Sequence, residues 1–133
     1  MIGLDNTPID MAAVRQYHRD RAAKRQLQVE TERLLWLTRV RTATMQLAPS
    51  HPGIAQVYLF GSLMQPGRFR IDSDLDVAVV SRSVEAESEF WRAMEQSLRR
   101  DVDLRPYTGA IVDAVTWFGE KVYERESDGV EGR

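Results

Sequence analysis

At 133 residues, with 43% hydrophobic and 29% charged side chains, the chain has the make-up of a single soluble globular domain. A net charge of −2 argues against direct nucleic-acid binding, and the lack of cysteine excludes disulfides, a thiolate zinc site and a cysteine nucleophile. No apolar run approaches membrane-spanning length and the N-terminus lacks a charged-then-apolar signal pattern, so no membrane association and a cytoplasmic location are expected.

Thr7-Pro8-Ile9-Asp10 reads as a helix start, with Thr7 as N-cap, Pro8 at the first helical position and Asp10 completing a capping-box-like arrangement. No Pro or Gly follows until Pro49, which predicts one long helix or two in near continuity. Its second half offers Leu34, Leu35, Trp36, Leu37, Val40, Met45 and Leu47 as a buried face. Its first half is basic, with Arg15, Arg19, Arg21, Lys24 and Arg25 against a few apolar anchors. That half is either a solvated helix or an arm that docks on a partner protein or a second copy. Up to Arg70 basic residues exceed acidic ones, and beyond it the balance reverses.

Pro49 to Gly53 ends the helix and turns the chain. A strand is predicted over Ile54 to Phe60, stopping at Gly61-Ser62, and a short helical turn (Leu63, Met64) precedes Pro66-Gly67. A second strand runs from about Leu75 to Val80, with Asp74 and Asp76 two residues apart and so on one face of the sheet. Two carboxylates held that close repel unless a cation or a shared proton relieves them. Val84 to Arg100 reads as a helix with Phe90, Met94 and Leu98 on one stripe and Trp91 widening it. A third short strand, Val102 to Leu104, carries Asp103 and ends by Pro106. The last predicted helix spans Ala110 to Arg125, with Ile111, Val115, Phe118 and Val122 on one face. Ser127 to Arg133 is polar and expected to be disordered. Asp72 and Ser73 belong to the turn before the second strand, Asp101 is expected to be exposed, and His18 and His51 carry no assigned role.

The order α-β-turn-β-α-β-α gives an α/β (α+β) domain, a small mixed sheet with helices packed on it. Residues 1–50 form a long N-terminal helical segment, 51–126 the core and 127–133 the tail. Gly61-Ser62, Asp74-x-Asp76 and the later lone Asp103 resemble the signature of the DNA polymerase β-type nucleotidyltransferase superfamily, over roughly residues 54–125. The short length resembles its minimal nucleotidyltransferases (MNT proteins), many of them antitoxins of HEPN/MNT toxin–antitoxin pairs. In one respect the chain departs from the pattern. Eleven residues separate Ser62 from Asp74, a longer interval than in the family, and Gln65 and Pro66 stand where an Arg often follows Gly-Ser.

The resemblance implies a polymerase β-like fold, ATP as nucleotide donor and Mg²⁺, two ions, held by Asp74, Asp76 and Asp103, which are also the catalytic residues. Gly61 and Ser62 would cradle the β- and γ-phosphates, and Arg68 or Arg70 would neutralise the triphosphate. It further implies AMP transfer to a hydroxyl, such as a tyrosine, of a cognate HEPN ribonuclease toxin, with which a hetero-oligomer is expected. Two rival readings are an antitoxin that neutralises its toxin by binding alone, and a small-molecule nucleotidyltransferase of the aminoglycoside-modifying kind.

Overall fold

The computed structural model describes residues 8–126. Thr7 and the Ser127–Arg133 tail, expected as a cap and as disordered, lie outside the described residues. The first element is one continuous helix, α1 (Met11–Leu47), of 37 residues. Its cap is Asp10, whose carboxylate accepts from the amides of Ala12 (3.1 Å) and Ala13 (3.2 Å). Pro8 and Asp10 therefore precede the helix instead of forming its first turn, because the Asp10 side chain satisfies two of the free amides itself.

At ~1.5 Å per residue α1 is about 55 Å long, and among the described residues only its second half packs on the other elements. From Met11 to Val29 every residue but Val14 is exposed. Arg33, Leu37, Val40, Ala43 and Thr44 form the buried stripe. Leu34, Leu35 and Met45, expected in the core, stand 49%, 43% and 56% exposed. They are apolar but lie off the stripe, and on a helix angle decides burial before hydrophobicity does. Among the described residues no helix is long and apolar enough to cross a membrane.

A 3-10 turn (Ala48–Ser50) leads into β1 (Ile54–Phe60), and a second 3-10 turn (Gly61–Met64) follows it. The remaining elements are β2 (Leu75–Ser81), α2 (Val84–Leu98), β3 (Val102–Pro106), α3 (Ala110–Phe118) and β4 (Glu120–Glu124). They build a four-stranded mixed sheet in the order β3-β2-β1-β4, with β1 antiparallel to β2 and β4 and β2 parallel to β3. α2 is the crossover that a parallel pair requires. Ser83 caps it by accepting from the Ala86 amide at 3.0 Å, and Arg99 ends it in the left-handed conformation (φ 53°).

Alternation along the strands divides the sheet into two faces. Val57, Leu59, Leu75, Val77, Val79, Val102 and Leu104 join Leu37, Val40, Phe90, Met94 and Leu98 in the main core beneath α1 and α2. Tyr58, Phe60 and Ala78 face the other way, against Val115, Ile111 and Ala114 of α3. Asp76 pairs with Phe60 and lies two residues before Ala78, so it belongs to this second, more open face.

The predicted final helix is half as long as expected. It stops at Phe118, and Gly119 turns the chain back as β4, an edge strand beside β1. A Cβ on Gly119 would sit 2.5 Å from the Cα of Val115 and 2.7 Å from its carbonyl oxygen, so only glycine permits the reversal. Val122, expected on the helix face, packs from β4 against the main core, as does Tyr123. Phe118 is 55% exposed.

Candidate active site

β1 and β2 bring the site together at one end of the sheet. Gly61 leaves β1 with φ +76°, and a Cβ there would lie 2.0 Å from Oδ2 of Asp76. The backbone of the turn thus sits directly against the Asp76 carboxylate, an approach only glycine allows. Buried Leu63 anchors the turn, its carbonyl oxygen accepts from Nη1 of Arg33 on α1 (2.9 Å), and Gln65 Nε2 donates to the Gly61 carbonyl (3.1 Å). Ser62 and Ser73 bring their hydroxyl oxygens to 3.5 Å, so the turn after β1 meets the turn before β2.

Asp74 is exposed and ends that second turn, one residue before β2 begins. Asp76 is half-buried inside β2, and Asp103 is its register partner on β3. The Asp103 carboxylate is held by Arg105, whose Nε lies 3.1 and 3.2 Å from its two oxygens. Burial, then the charges of Asp103 and Asp74, push the Asp76 carboxyl up to about 6, with Arg105 opposing.

Gly61, Ser62, Asp74, Asp76 and Asp103 are therefore gathered at one end of the sheet, on or beside its open face. Arg68 and Arg70 are not drawn into that cluster; both stand exposed on the connection between the two turns. Three other arginines make the contacts that sequence reasoning missed: Arg33 on the Leu63 carbonyl, Arg100 on the carbonyls of Arg70 and Ser73, and Arg105 on Asp103. Only Arg105 left a signal, since a residue two after Asp103 on a strand must share its face.

Among the described residues no group of three His, Cys, Asp or Glu side chains is placed to hold a metal ion. The donor chemistry nevertheless fits a hard divalent cation. Carboxylate oxygens are the ligands Mg²⁺ takes, and burial, with added repulsion from Asp103 and Asp74, has driven the Asp76 carboxyl well above its ordinary value of 3.8.

The raised Asp76 carboxyl has a measurable consequence for metal-free protein. Folded Asp76 keeps its proton up to about pH 6, against 3.8 for an ordinary carboxyl, so between those values the folded state binds more protons than the unfolded one. Stability is therefore highest below this window and declines as pH rises through 6. Asp76→Asn should stabilise the chelator-treated protein by on the order of 1 kcal/mol at about pH 8, discounted for partial solvation, and by nothing near pH 3.5. Thermal melts at the two pH values check this; an equal gain at both would exclude the titration.

The Polymerase beta, Nucleotidyltransferase family profile matches residues 43–128. No curated protein matches the chain. Among solved structures, the chain resembles an MntA–HpeT toxin–antitoxin carrying two Asp-to-Glu mutations, with 22% identity, a TM-score of 0.53, and coverage of 65% of this chain and 74% of that one. A toxin–antitoxin with AMP-PNP is similar at 25% identity and a TM-score of 0.52, again covering 65% and 74%. A tri-AMPylated Shewanella oneidensis HEPN toxin in complex with MNT antitoxin follows at 22% identity and a TM-score of 0.48, covering 65% and 71%. The fold is that of a polymerase β-like nucleotidyltransferase domain. Because the profile takes in both site turns, all four strands and the end of α1, the chain belongs to the polymerase β nucleotidyltransferase family.

Proposed function

We propose that this chain is the antitoxin of a toxin–antitoxin pair, transferring AMP from ATP to a hydroxyl, a tyrosine, of a HEPN ribonuclease with release of pyrophosphate, and thereby inactivating it. The observation that carries the reading is the Gly61 turn seated against Asp76, with Asp74 and Asp103 beside it. The similar toxin–antitoxin with AMP-PNP supports both the nucleotide and the kind of partner. Residues 51–126 are the transferase core, and the exposed half of α1 is the arm that meets the partner in a hetero-oligomer.

Asp74 and Asp76 would hold Mg²⁺, joined by Asp103; bound there, Mg²⁺ supplies charge neutralisation at the triphosphate and lowers the pKa of the acceptor hydroxyl. The Gly61-Ser62 amides and the Ser62 hydroxyl cradle the β- and γ-phosphates, since no side chain at Gly61 stands in their way. Arg68 or Arg70, both exposed on the neighbouring connection and outside the cluster itself, would neutralise the same anion. Asp103 accepts the proton of the attacking hydroxyl, and Arg105, bonded to both of its oxygens, holds the carboxylate in place.

A second reading, neutralisation by binding alone, is favoured by one observation: nineteen residues of α1, Met11 to Val29, have almost nothing to pack against among the described residues. The two readings part on the mass spectrum of the protein encoded next to this one, after incubation with this chain, ATP and Mg²⁺. Transfer predicts a gain in whole units of AMP. An unmodified neighbour that is nonetheless bound and silenced would establish the binding reading.

A further inference from the structure

We propose that Arg100 is a positioning residue of the transfer site, its guanidinium clamping the turn that presents Asp74. The inference rests on the transferase reading above. Arg100 follows the left-handed residue that ends α2, and its guanidinium lies over two aromatic rings, 4.7 Å from the Trp36 ring centroid on α1 and 5.3 Å from that of Phe69. From there Nε donates to the Ser73 carbonyl at 3.2 Å, while Nη2 donates to the carbonyls of Ser73 (2.5 Å) and Arg70 (3.2 Å). The turn is also closed on itself, since the amide and hydroxyl of Ser73 both donate to the Arg70 carbonyl, at 3.2 and 2.7 Å.

The consequence for Asp74 comes from the next residue along. The Leu75 amide donates to the Asp101 carbonyl at 3.2 Å. The peptide before Asp74 is thus held by Arg100 and the peptide after it by Asp101, two consecutive residues of the α2–β3 connection. Asp74 itself is exposed and belongs to no regular element, so these two anchors fix where its carboxylate starts. A flexible ammonium could not replace the guanidinium, whose planar fork bonds two carbonyls while its faces lie on rings. Burial draws the Arg100 guanidinium below its ordinary value, while Asp74, Asp72 and Glu32 oppose the shift, so its charge also acts on Asp74.

The molecule contains its own control. Arg125 bonds the carbonyls of Ile54 (3.1 Å), Ala48 (2.8 Å) and His51 (2.9 Å) and lies 5.8 Å from the Tyr123 ring centroid. It is a brace of the same chemistry at the far end of β1, away from the carboxylates. Arg100→Met, Arg100→Lys and Arg125→Met are compared by thermal melting and by calorimetric titration with Mg²⁺–ATP in the absence of an acceptor protein. Both Met variants should melt lower. Mg²⁺–ATP binding should weaken about 10-fold or more in Arg100→Met and Arg100→Lys and stay unchanged in Arg125→Met.

Wild-type affinity in Arg100→Met would overturn the proposal while leaving the transferase reading intact. Wild-type affinity in Arg100→Lys would overturn it too, since charge alone would then suffice; this variant also serves if Arg100→Met does not fold. Equal weakening in the Arg125 variant would mean that any lost brace loosens the site, and would overturn the specific role. A wild-type protein that binds no Mg²⁺–ATP would sink the transferase reading and this inference with it.

Discussion

Replacing Asp74 and Asp76 together by Asn should cost on the order of 4 kcal/mol of transition-state stabilisation, roughly a thousandfold in the rate of AMP transfer. Asn keeps the size and hydrogen-bonding reach of Asp but carries no charge, so the variant cannot hold a hard divalent cation at these positions. Loss of activity alone would be weak support, because unfolding also abolishes activity. Here the two effects run in opposite directions. Asp76 is disfavoured in the metal-free fold by burial and by Asp103 and Asp74, so the double variant should melt above the wild type near neutral pH. A protein that is more stable without metal, inert in transfer and no longer stabilised by added Mg²⁺ identifies a site strained for function. Mass-spectrometric rates alongside melts with chelator and with Mg²⁺ read all three. Transfer persisting near the wild-type rate would place the chemistry elsewhere in the chain.

The central part of the fold was legible because each signal there is local. β1 runs from Ile54 to Phe60 as read, since an apolar run meets Gly61, and β2 starts at Leu75 because the alternation of Asp74, Asp76 and Ala78 begins there. The end of the chain was not. Ile111, Val115, Phe118 and Val122 fit a helical face on paper, but Gly119 interrupts it and Glu120 to Glu124 gain a whole row of hydrogen bonds by pairing with β1. Pairing with a strand some sixty residues earlier leaves no trace in a short window. Leu34, Leu35 and Met45 misled for a related reason: hydrophobicity was visible, but the direction from which the sheet approaches α1 was not.

In the candidate site the same division holds. Gly61, Ser62, Asp74, Asp76 and Asp103 could be named from spacing, because chain proximity and strand alternation carry them. Arg33 and Arg100 could not be told from the chain's other arginines, since what distinguishes them is a carbonyl met in three dimensions; Arg105 left only the strand alternation that puts it on the face of Asp103. The two arginines chosen by proximity to Gly61-Ser62, Arg68 and Arg70, stand exposed, and only the backbone of Arg70 takes part in the Asp74 turn.

Gly61→Ala tests the most specific contact in the site. At φ +76° an alanine is strained by about 1–2 kcal/mol before any contact is considered. Its Cβ would also lie 2.0 Å from Oδ2 and 2.8 Å from Cγ of Asp76, so the carboxylate must swing away or the turn must open. Together these should destabilise the fold by roughly 2–4 kcal/mol and reduce transfer about a hundredfold, although every carboxylate is still present. The strain and the collision can be separated by repeating the substitution in an Asp76→Ala background. There Oδ2 and Cγ are gone and only the residue-76 Cβ remains, at 3.0 Å, so the added alanine should cost about the backbone strain alone. The two substitutions should therefore be non-additive in denaturant unfolding by on the order of 1 kcal/mol or more. Strict additivity would mean that Gly61 is required for its backbone conformation alone, and that the turn does not rest on the Asp76 carboxylate. A coupled pair would instead tie the phosphate-facing turn to the carboxylate that would hold the metal, so that neither can move without displacing the other.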